Sequence, residues 1–192
     1  MRVPVLAVPL IAFAFPLVAQ EIHDSLPFRV GQWGVQFVGP LTGAFGVLKF
    51  RSPSRAWMAE IDLTARHQET TADSSTSVSV FTTVNVLLGT RTYRPLGSKV
   101  VGYHTLGILV GYSHSSQNLF PTGRSRTSGW QLGPFLHIGG TYLVTPHLGI
   151  GASGQAGIFY MWATNRTPAA PTTRIWALTA STAVGLQGAI FF

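Results

Sequence analysis

The sequence predicts an all-β fold: eight antiparallel strands, connected up and down in chain order and closed into a transmembrane β-barrel. Three observations carry this prediction. Apolar residues alternate with small or polar ones with a period of two along most of the chain. The connections alternate between short turns and longer polar segments. Acidic and basic side chains avoid the apolar face of the strands, as a lipid-facing surface requires.

The composition excludes several other classes of protein. Only 10% of the 192 residues are charged and 46% are hydrophobic, so the chain is too apolar for a disordered or a typical soluble protein. It has no cysteine and forms no disulfide. The formal charge of +7 is compatible with nucleic acid, but the export predicted below argues against that partner.

The N-terminal segment has the features of a secretory signal peptide. Arg2 precedes an apolar stretch from Val3 to Val18, and Ala19 and Gln20 follow it. Three prolines within the stretch oppose an uncleaved membrane helix. We therefore expect residues 1–20 to be a signal peptide cleaved near residue 19 or 20, and the mature protein to be exported.

Eight segments show the strand periodicity. They lie at residues 30–39, 43–51, 55–67, 76–92, 99–115, 128–144, 147–164 and 174–192. The connections SPS, YRPLGS and TPH are short, whereas HQETTADSS, SSQNLFPTGRSRT and NRTPAAPTTR are long; the first connection, GPLT, is short and breaks the series. An even number of strands places both termini at the short-turn side, as in outer-membrane barrels.

The distribution of charge distinguishes a membrane barrel from a soluble one. In the third strand, Trp57, Ile61 and Leu63 form one face and Glu60 and Asp62 the other, so the charges point inward in a membrane barrel. Aromatic residues near the strand ends form two interfacial girdles. The predicted girdles are Trp33, Phe50, Trp57, Tyr142 and Phe192 near the short turns, and Tyr112, Trp130, Tyr160, Trp162 and Trp176 near the long loops.

Residues 28–192 resemble the small eight-stranded bacterial outer-membrane barrels of the OmpA/OmpX type. In that family the last strand ends in an aromatic residue, with apolar residues two and four places earlier. Phe192 and Ile190 match this pattern, and Gly188 departs from it. The resemblance implies an outer-membrane location and recognition of the terminal phenylalanine by the barrel-assembly machinery. We expect a monomer.

Five charged residues are predicted to point into the barrel on neighbouring strands. Buried charges must be paired, so a cross-strand network would satisfy them and block water. This interpretation gives a largely closed barrel with a structural or surface-interaction role, no enzymatic activity and no cofactor or metal. The predicted network consists of Lys49, Glu60, Asp62, Arg66 and Arg91.

The C-terminal half supports an alternative function. Its inward face is rich in glycine and alanine, and large apolar side chains stand among them. The missing side chains leave space for a small hydrophobic compound, bound or passing through a narrow, porin-like conduit. Alternatively, the glycines serve the tight curvature and the aromatic rings fill the gaps. The predicted cavity lining is Leu109, Phe135, Phe159 and Met161.

Four arginines are expected in or beside the long outer loops. Arginine binds phosphate well, and lipopolysaccharide presents phosphate at the outer surface. The alternative is that these charges only keep the loops soluble. The residues are Arg124, Arg126, Arg166 and Arg174.

A third interpretation is enzymatic. His114 and Ser116 are similar to the His-x-Ser pair of outer-membrane lipid A deacylases, in which histidine activates serine as a nucleophile. That family also has a glutamate further along the chain. This sequence has no acidic residue after Asp73, so a lipid A-modifying hydrolase is the least supported alternative.

Overall fold

The structure is a computed structural model that describes residues 26–39, 43–72, 75–119, 123–168 and 170–192. The predicted signal peptide, residues 1–20, lies outside the described residues. Within the described ranges, no helix is long and apolar enough to cross a membrane.

Eight strands form one closed barrel in which every strand is antiparallel to its neighbours, and β8 returns to pair with β1. The predicted fold of eight up-and-down strands is therefore confirmed. The strands are β1 (Trp33–Gly39), β2 (Gly43–Ser52), β3 (Arg55–Ala72), β4 (Ser75–Pro95), β5 (Val100–Leu119), β6 (Gly123–Thr145), β7 (Leu148–Thr167) and β8 (Ala170–Phe191).

The two ends of the barrel differ from the prediction in one respect. We call the end that carries Phe192 the turn end, and the opposite end the loop end. Most of the segments predicted as long loops are strand, because pairing continues to Ala72 and Ser75 in one hairpin and to Thr167 and Ala170 in another. Threonine and serine in these segments are compatible with strands, but beyond the membrane the face no longer has to alternate, so the sequence signal disappears.

The register shows that the strands are tilted. Paired residues followed around the sheet from Trp33 in β1 lead to Thr182 in β8, yet the barrel closes through hydrogen bonds between Trp33 and Phe192. This displacement along β8 is the shear of the barrel, and it requires strands that are inclined to the barrel axis. An eight-stranded barrel of this kind has an interior that side chains largely fill.

Successive side chains alternate between the inside and the outside of the barrel. In β2 this alternation differs from the predicted one. Leu48 and Phe50 are buried inside the barrel, and Lys49 is exposed on the outside. The predicted inward position of Lys49 and outward position of Phe50 are therefore wrong. At the turn end the interior is aromatic, so it takes Phe50, whereas Lys49 can extend its ammonium group along the outer surface toward water.

The barrel wall is shortest at the β1–β2 hairpin. These strands have 7 and 10 residues, whereas β8 has 22. Described pairing of β8 with β1 ends at Leu186, and described pairing of β3 with β2 ends at Leu63. Toward the loop end, β8 and β3 therefore flank a gap in the wall above this hairpin, whose tip at residues 40–42 lies outside the described residues.

Candidate functional site

The turn end of the barrel is closed by aromatic rings. Phe28, which precedes β1, stacks on Phe50 with a ring-centroid distance of 4.4 Å and approaches Tyr93 at 4.8 Å and Phe191 at 4.9 Å. All four rings are buried. We call Phe28, Phe50, Tyr93 and Phe191 the aromatic plug. Phe191 belongs to this plug, while Phe192 faces outward.

A polar network lies inside the barrel next to the plug, on its loop side. Gln36 donates a hydrogen bond to Glu60 and accepts one from Arg91 Nη1 at 2.5 Å. Arg91 Nε donates to Thr105 Oγ1 at 2.8 Å, and its guanidinium lies 4.0 Å from the Tyr103 ring centre. The amide of Gln36 thus connects a buried carboxylate to a buried guanidinium, which satisfies groups that would otherwise be costly to bury.

The network continues from Tyr103 to β8 and β6. Tyr103 donates to Gln187 Oε1 at 2.5 Å, and Gln187 Nε2 donates to Thr141 Oγ1 at 2.8 Å. The contacts thus run from Gln36 on β1 through Arg91 on β4 and Tyr103 on β5 to Gln187 on β8, the strand that pairs with β1, and they span the barrel interior. Side chains therefore fill this cross-section of the barrel.

The structure brings together only part of the predicted charge network. Glu60 and Arg91 are joined through Gln36, and Asp62 Oδ2 accepts from Asn85 Nδ2 at 3.2 Å. Arg66 is exposed nearer the loop end. Lys49 lies outside, where its ammonium is 4.9 Å from the Trp33 ring centre.

A cavity of about 280 Å³ lies inside the barrel on the loop side of the network. Its lining is about equally polar and apolar and comes from every strand of the barrel. Of the four predicted apolar lining residues, Leu109 and Phe159 line this cavity, and Phe135 and Met161 are not among its wall residues. The polar and charged lining is Glu60, Asp62, Asn85, Gln131, His137, Ser153, Gln155, Thr179, Ser181 and Thr182.

Much of the space left by glycine is filled by neighbouring rings. A methyl group at Gly107 would lie 2.7 Å from Cε1 of Phe135, and one at Gly157 would collide with the ring of Phe159. Phe135 therefore packs over a glycine of β5, which is the gap-filling interpretation of the sequence. Phe159 does both: it covers a glycine and faces the cavity.

Two buried polar atoms at the cavity have no hydrogen-bond partner among the described residues. They are Oδ1 of Asp62 and Nδ1 of His137. His137 is 2% exposed, and its ring packs edge-on against Tyr103 at 5.7 Å. No feature of the sequence singles out His137 or Gln36, because a lone inward polar residue on a strand is common in membrane barrels.

At the loop end, a row of tryptophans lies beneath a row of arginines. Trp130, Trp162 and Trp176 are paired in register across β6, β7 and β8. Four residues further toward the loop end, Arg126 lies directly opposite Arg166. Both arginines are exposed and have the same outward parity as the tryptophans.

The other two predicted arginines extend this outward face. Arg174 pairs with Thr164, two residues before Arg166 on β7, and Arg124 donates through Nε to Ser116 Oγ at 2.5 Å. All four arginines belong to strands rather than to loops, because β6, β7 and β8 extend beyond the tryptophan row. We call Arg124, Arg126, Arg166 and Arg174 the arginine belt.

The predicted hydrolytic pair also lies on the outward face. Ser116 is buried, and its hydroxyl accepts the hydrogen bond from Arg124. His114 is half-buried two residues away. A nucleophilic serine needs a neighbouring base that takes its proton, and the described contact of this hydroxyl is to a guanidinium instead.

The C-terminal residues form the seam of the barrel. Trp33 and Phe192 exchange two backbone hydrogen bonds of 3.0 Å. Ile190 and Phe192 are exposed on the outward face at the turn end. The residues of the predicted assembly signal are thus accessible on the barrel's outer surface at the β1–β8 seam.

An apolar outer wall, a polar interior and closed up-and-down topology together define the fold of an outer-membrane β-barrel. No protein-family model and no curated protein sequence matches the chain. Among solved structures, it is similar to a major outer membrane protein from Thermus thermophilus, with a TM-score of 0.60 and 12% identity over 84% of this chain and 98% of that one. This likeness supports the fold.

Two further solved structures are similar at lower TM-scores. CarO from Acinetobacter baumannii gives a TM-score of 0.43 and 12% identity, over 88% of this chain and 100% of that one. Ail, the attachment invasion locus protein of Yersinia pestis, gives 0.43 and 12%, over 84% and 94%.

Proposed function

We propose that this protein is a closed barrel of the bacterial outer membrane whose role is exerted at the cell surface, where the arginine belt binds phosphate groups of lipopolysaccharide. In this arrangement the turn end faces the periplasm and the loop end faces the cell exterior. The observation that carries the proposal is the direct pairing of Arg126 with Arg166 above the tryptophan row.

This pairing is unfavourable unless an anion compensates it. Like charges placed directly opposite each other on antiparallel strands repel, because their Cβ atoms are only about 4.5–5.5 Å apart. A phosphate bound between two guanidinium groups turns this repulsion into two charge-assisted contacts. Tryptophan favours the membrane interface, so the belt stands at the level expected for lipid phosphates.

The interior supports a closed barrel rather than an open pore. The aromatic plug and the Gln36–Arg91 network fill successive cross-sections at the turn end. Barrels of eight strands hold side chains or one small ligand, not a water-filled channel. A conduit for small hydrophobic compounds is the second candidate; Leu109 and Phe159 favour it, but polar side chains, among them the carboxylates of Glu60 and Asp62, form about half of the cavity wall. A hydrolase acting through His114 and Ser116 is less favoured, given the Arg124 contact.

The test measures lipopolysaccharide on the purified barrel. Protein folded in mild detergent is titrated with defined lipopolysaccharide and analysed by native mass spectrometry. We expect R126A/R166A to lower the affinity at least tenfold, because both partners of the phosphate are removed. The matched control is Arg94→Ala. Arg94 is an exposed arginine on the outer face of β4 at the turn end, and replacing it should leave binding unchanged.

Two results would contradict the proposal. If R126A/R166A binds lipopolysaccharide as well as the wild type, the belt is not the binding surface. If Arg94→Ala weakens binding as much as the double variant, the interaction reflects overall charge rather than a site. Dephosphorylated lipopolysaccharide should bind weakly to every variant.

A further inference from the structure

We infer that the cavity inside the barrel binds a small organic cation, with the chemistry of a short aliphatic diamine. The inference concerns the interior and is independent of the lipopolysaccharide contact proposed above. It rests on three features of the cavity wall: its charge, its unpartnered polar atoms and its apolar side.

The charge of the wall is negative. Glu60 and Asp62 are two residues apart on the inward face of β3, and both line the cavity. Arg91 is the one arginine buried inside the described part of the barrel; it is bonded to Gln36 and Thr105 and is not part of the cavity wall. The cavity is thus lined by two carboxylates, Glu60 buried and Asp62 half-buried, and its described wall residues include no arginine or lysine, so a cationic ligand supplies the missing counter-charge.

The unpartnered atoms mark where a ligand would donate hydrogen bonds. Asp62 uses Oδ2 to accept from Asn85, while its buried Oδ1 has no partner in the described structure. His137, buried to 2% exposure, also leaves Nδ1 without a partner there, and both residues line the cavity. A carboxylate oxygen accepts only, and a neutral imidazole accepts through one nitrogen. A primary ammonium group offers three donors and no acceptor, so it fits this pair.

The ligand is organic rather than a bare metal ion. Within the described ranges, no three histidine or acidic side chains are grouped to hold a metal. Leu109 and Phe159 form an apolar part of the wall, which suits the methylene chain of an amine. A volume of about 280 Å³ lies at the lower limit of small-molecule pockets, so the ligand is short.

The cavity opens at the side of the barrel, at the gap above the β1–β2 hairpin, where Val38 and Ala44 also line it. Ser181, Thr182 and Ala183 of β8 line it and are exposed. They lie along the segment of β8 beyond its described pairing with β1, beside the gap above the β1–β2 hairpin. At the turn end the network and plug close the barrel. The cavity is therefore a binding site that is open at this gap and closed at the turn end.

The test uses the full barrel refolded in non-ionic detergent without lipopolysaccharide, whose phosphates would themselves bind amines. Calorimetry and native mass spectrometry measure binding of 1,5-diaminopentane, with 1,5-pentanediol as the uncharged probe of the same length. We expect one diamine per barrel and no bound diol. Asp62→Asn keeps an acceptor for Asn85 but removes the charge, and should lower diamine affinity at least tenfold.

The matched control is Glu69→Gln, which removes the same charge from an exposed position on the same strand. It should bind like the wild type. A second measurement does not depend on any variant folding: the imidazole resonances of His137 should shift in proportion to the bound diamine. The inference is overturned if millimolar diamine does not bind, if the diol binds equally well, if Asp62→Asn binds like the wild type, or if the His137 resonances do not move.

Discussion

Gln36 and Arg91 are hydrogen-bonded at 2.5 Å inside the barrel, next to the aromatic plug, and each side chain is 1% exposed. The Nε2 group of the same amide donates a hydrogen bond to Glu60. A single uncharged side chain on the shortest strand therefore mediates between the two buried charges. This arrangement keeps a carboxylate and a guanidinium in the interior without requiring their direct contact.

We expect that removing one member of this network strongly lowers the free energy of unfolding. Arg91→Met leaves Glu60 buried with no compensating cation, and breaking a buried ion pair by removing one partner costs about 3–5 kcal/mol of unfolding free energy. Urea unfolding in detergent micelles, followed by tryptophan fluorescence, measures this. The double variant E60M/R91M should recover most of the loss, because neither Glu60 nor Arg91 is then left buried without the other. Additive losses in the double variant would contradict the coupling.

The contrasting position is Lys49, which lies on the outer face. Its ammonium contacts the Trp33 ring at 4.9 Å, and an exposed cation–π contact is worth about 0.5–1 kcal/mol. We expect Lys49→Met to change the unfolding free energy by less than about 1 kcal/mol. The same urea titration compares it directly with Arg91→Met. A loss as large as that of Arg91→Met would mean that Lys49 belongs to the interior network after all.

Lys49 also shows where sequence reasoning reached its limit. The segment Val47–Phe50 has apolar residues on both faces, so its alternation alone does not fix which side faces lipid. The rule that charges point inward placed Lys49 inside, but at the turn end the interior is the aromatic plug. The strand count and topology were predictable because they depend on eight repetitions of one pattern. The side to which Lys49 points depends instead on local packing at the aromatic plug.

The candidate site was only partly predictable for a related reason. Glu60, Asp62 and Arg91 are conspicuous as charges on an inward face. Gln36 and His137 carry no such signal, and their importance arises from which strands the closed barrel brings opposite each other. The polar half of the cavity wall follows from those cross-barrel neighbours, and of the expected apolar lining only Leu109 and Phe159 line the cavity.

The plug and the network should act as two successive barriers to ions. Phe28→Ala removes the central ring of the plug but leaves the Gln36–Arg91 contact intact. We expect its ionic conductance in planar bilayers to equal that of the wild type. Conductance should appear only when Phe28→Ala is combined with Arg91→Ala. Phe192→Ala, which alters an outward-facing ring beside the plug, is the control. Full conductance of Phe28→Ala alone would show that the network does not close the barrel.

Two glycines on paired strands, Gly107 facing inward and Gly140 facing outward, provide a direct test of how tightly the interior is packed. A methyl group at Gly107 would collide with the Leu88 carbonyl oxygen and lie 2.7 Å from Cε1 of Phe135, whereas a methyl group at Gly140 would meet no atom within 4 Å. Overpacking typically costs about 1–3 kcal/mol. Gly107→Ala should therefore lose stability by about that amount.

Gly140→Ala should be neutral or stabilising by up to about 1 kcal/mol, because alanine restricts the unfolded chain without a clash in the folded one. Urea midpoints of the two variants, measured in the same micelles, give the comparison. Combining Gly107→Ala with Phe135→Leu should restore only part of the loss, since the backbone carbonyl of Leu88 cannot move away as a side chain can. Equal midpoints for Gly107→Ala and Gly140→Ala would contradict the close strand approach at Gly107.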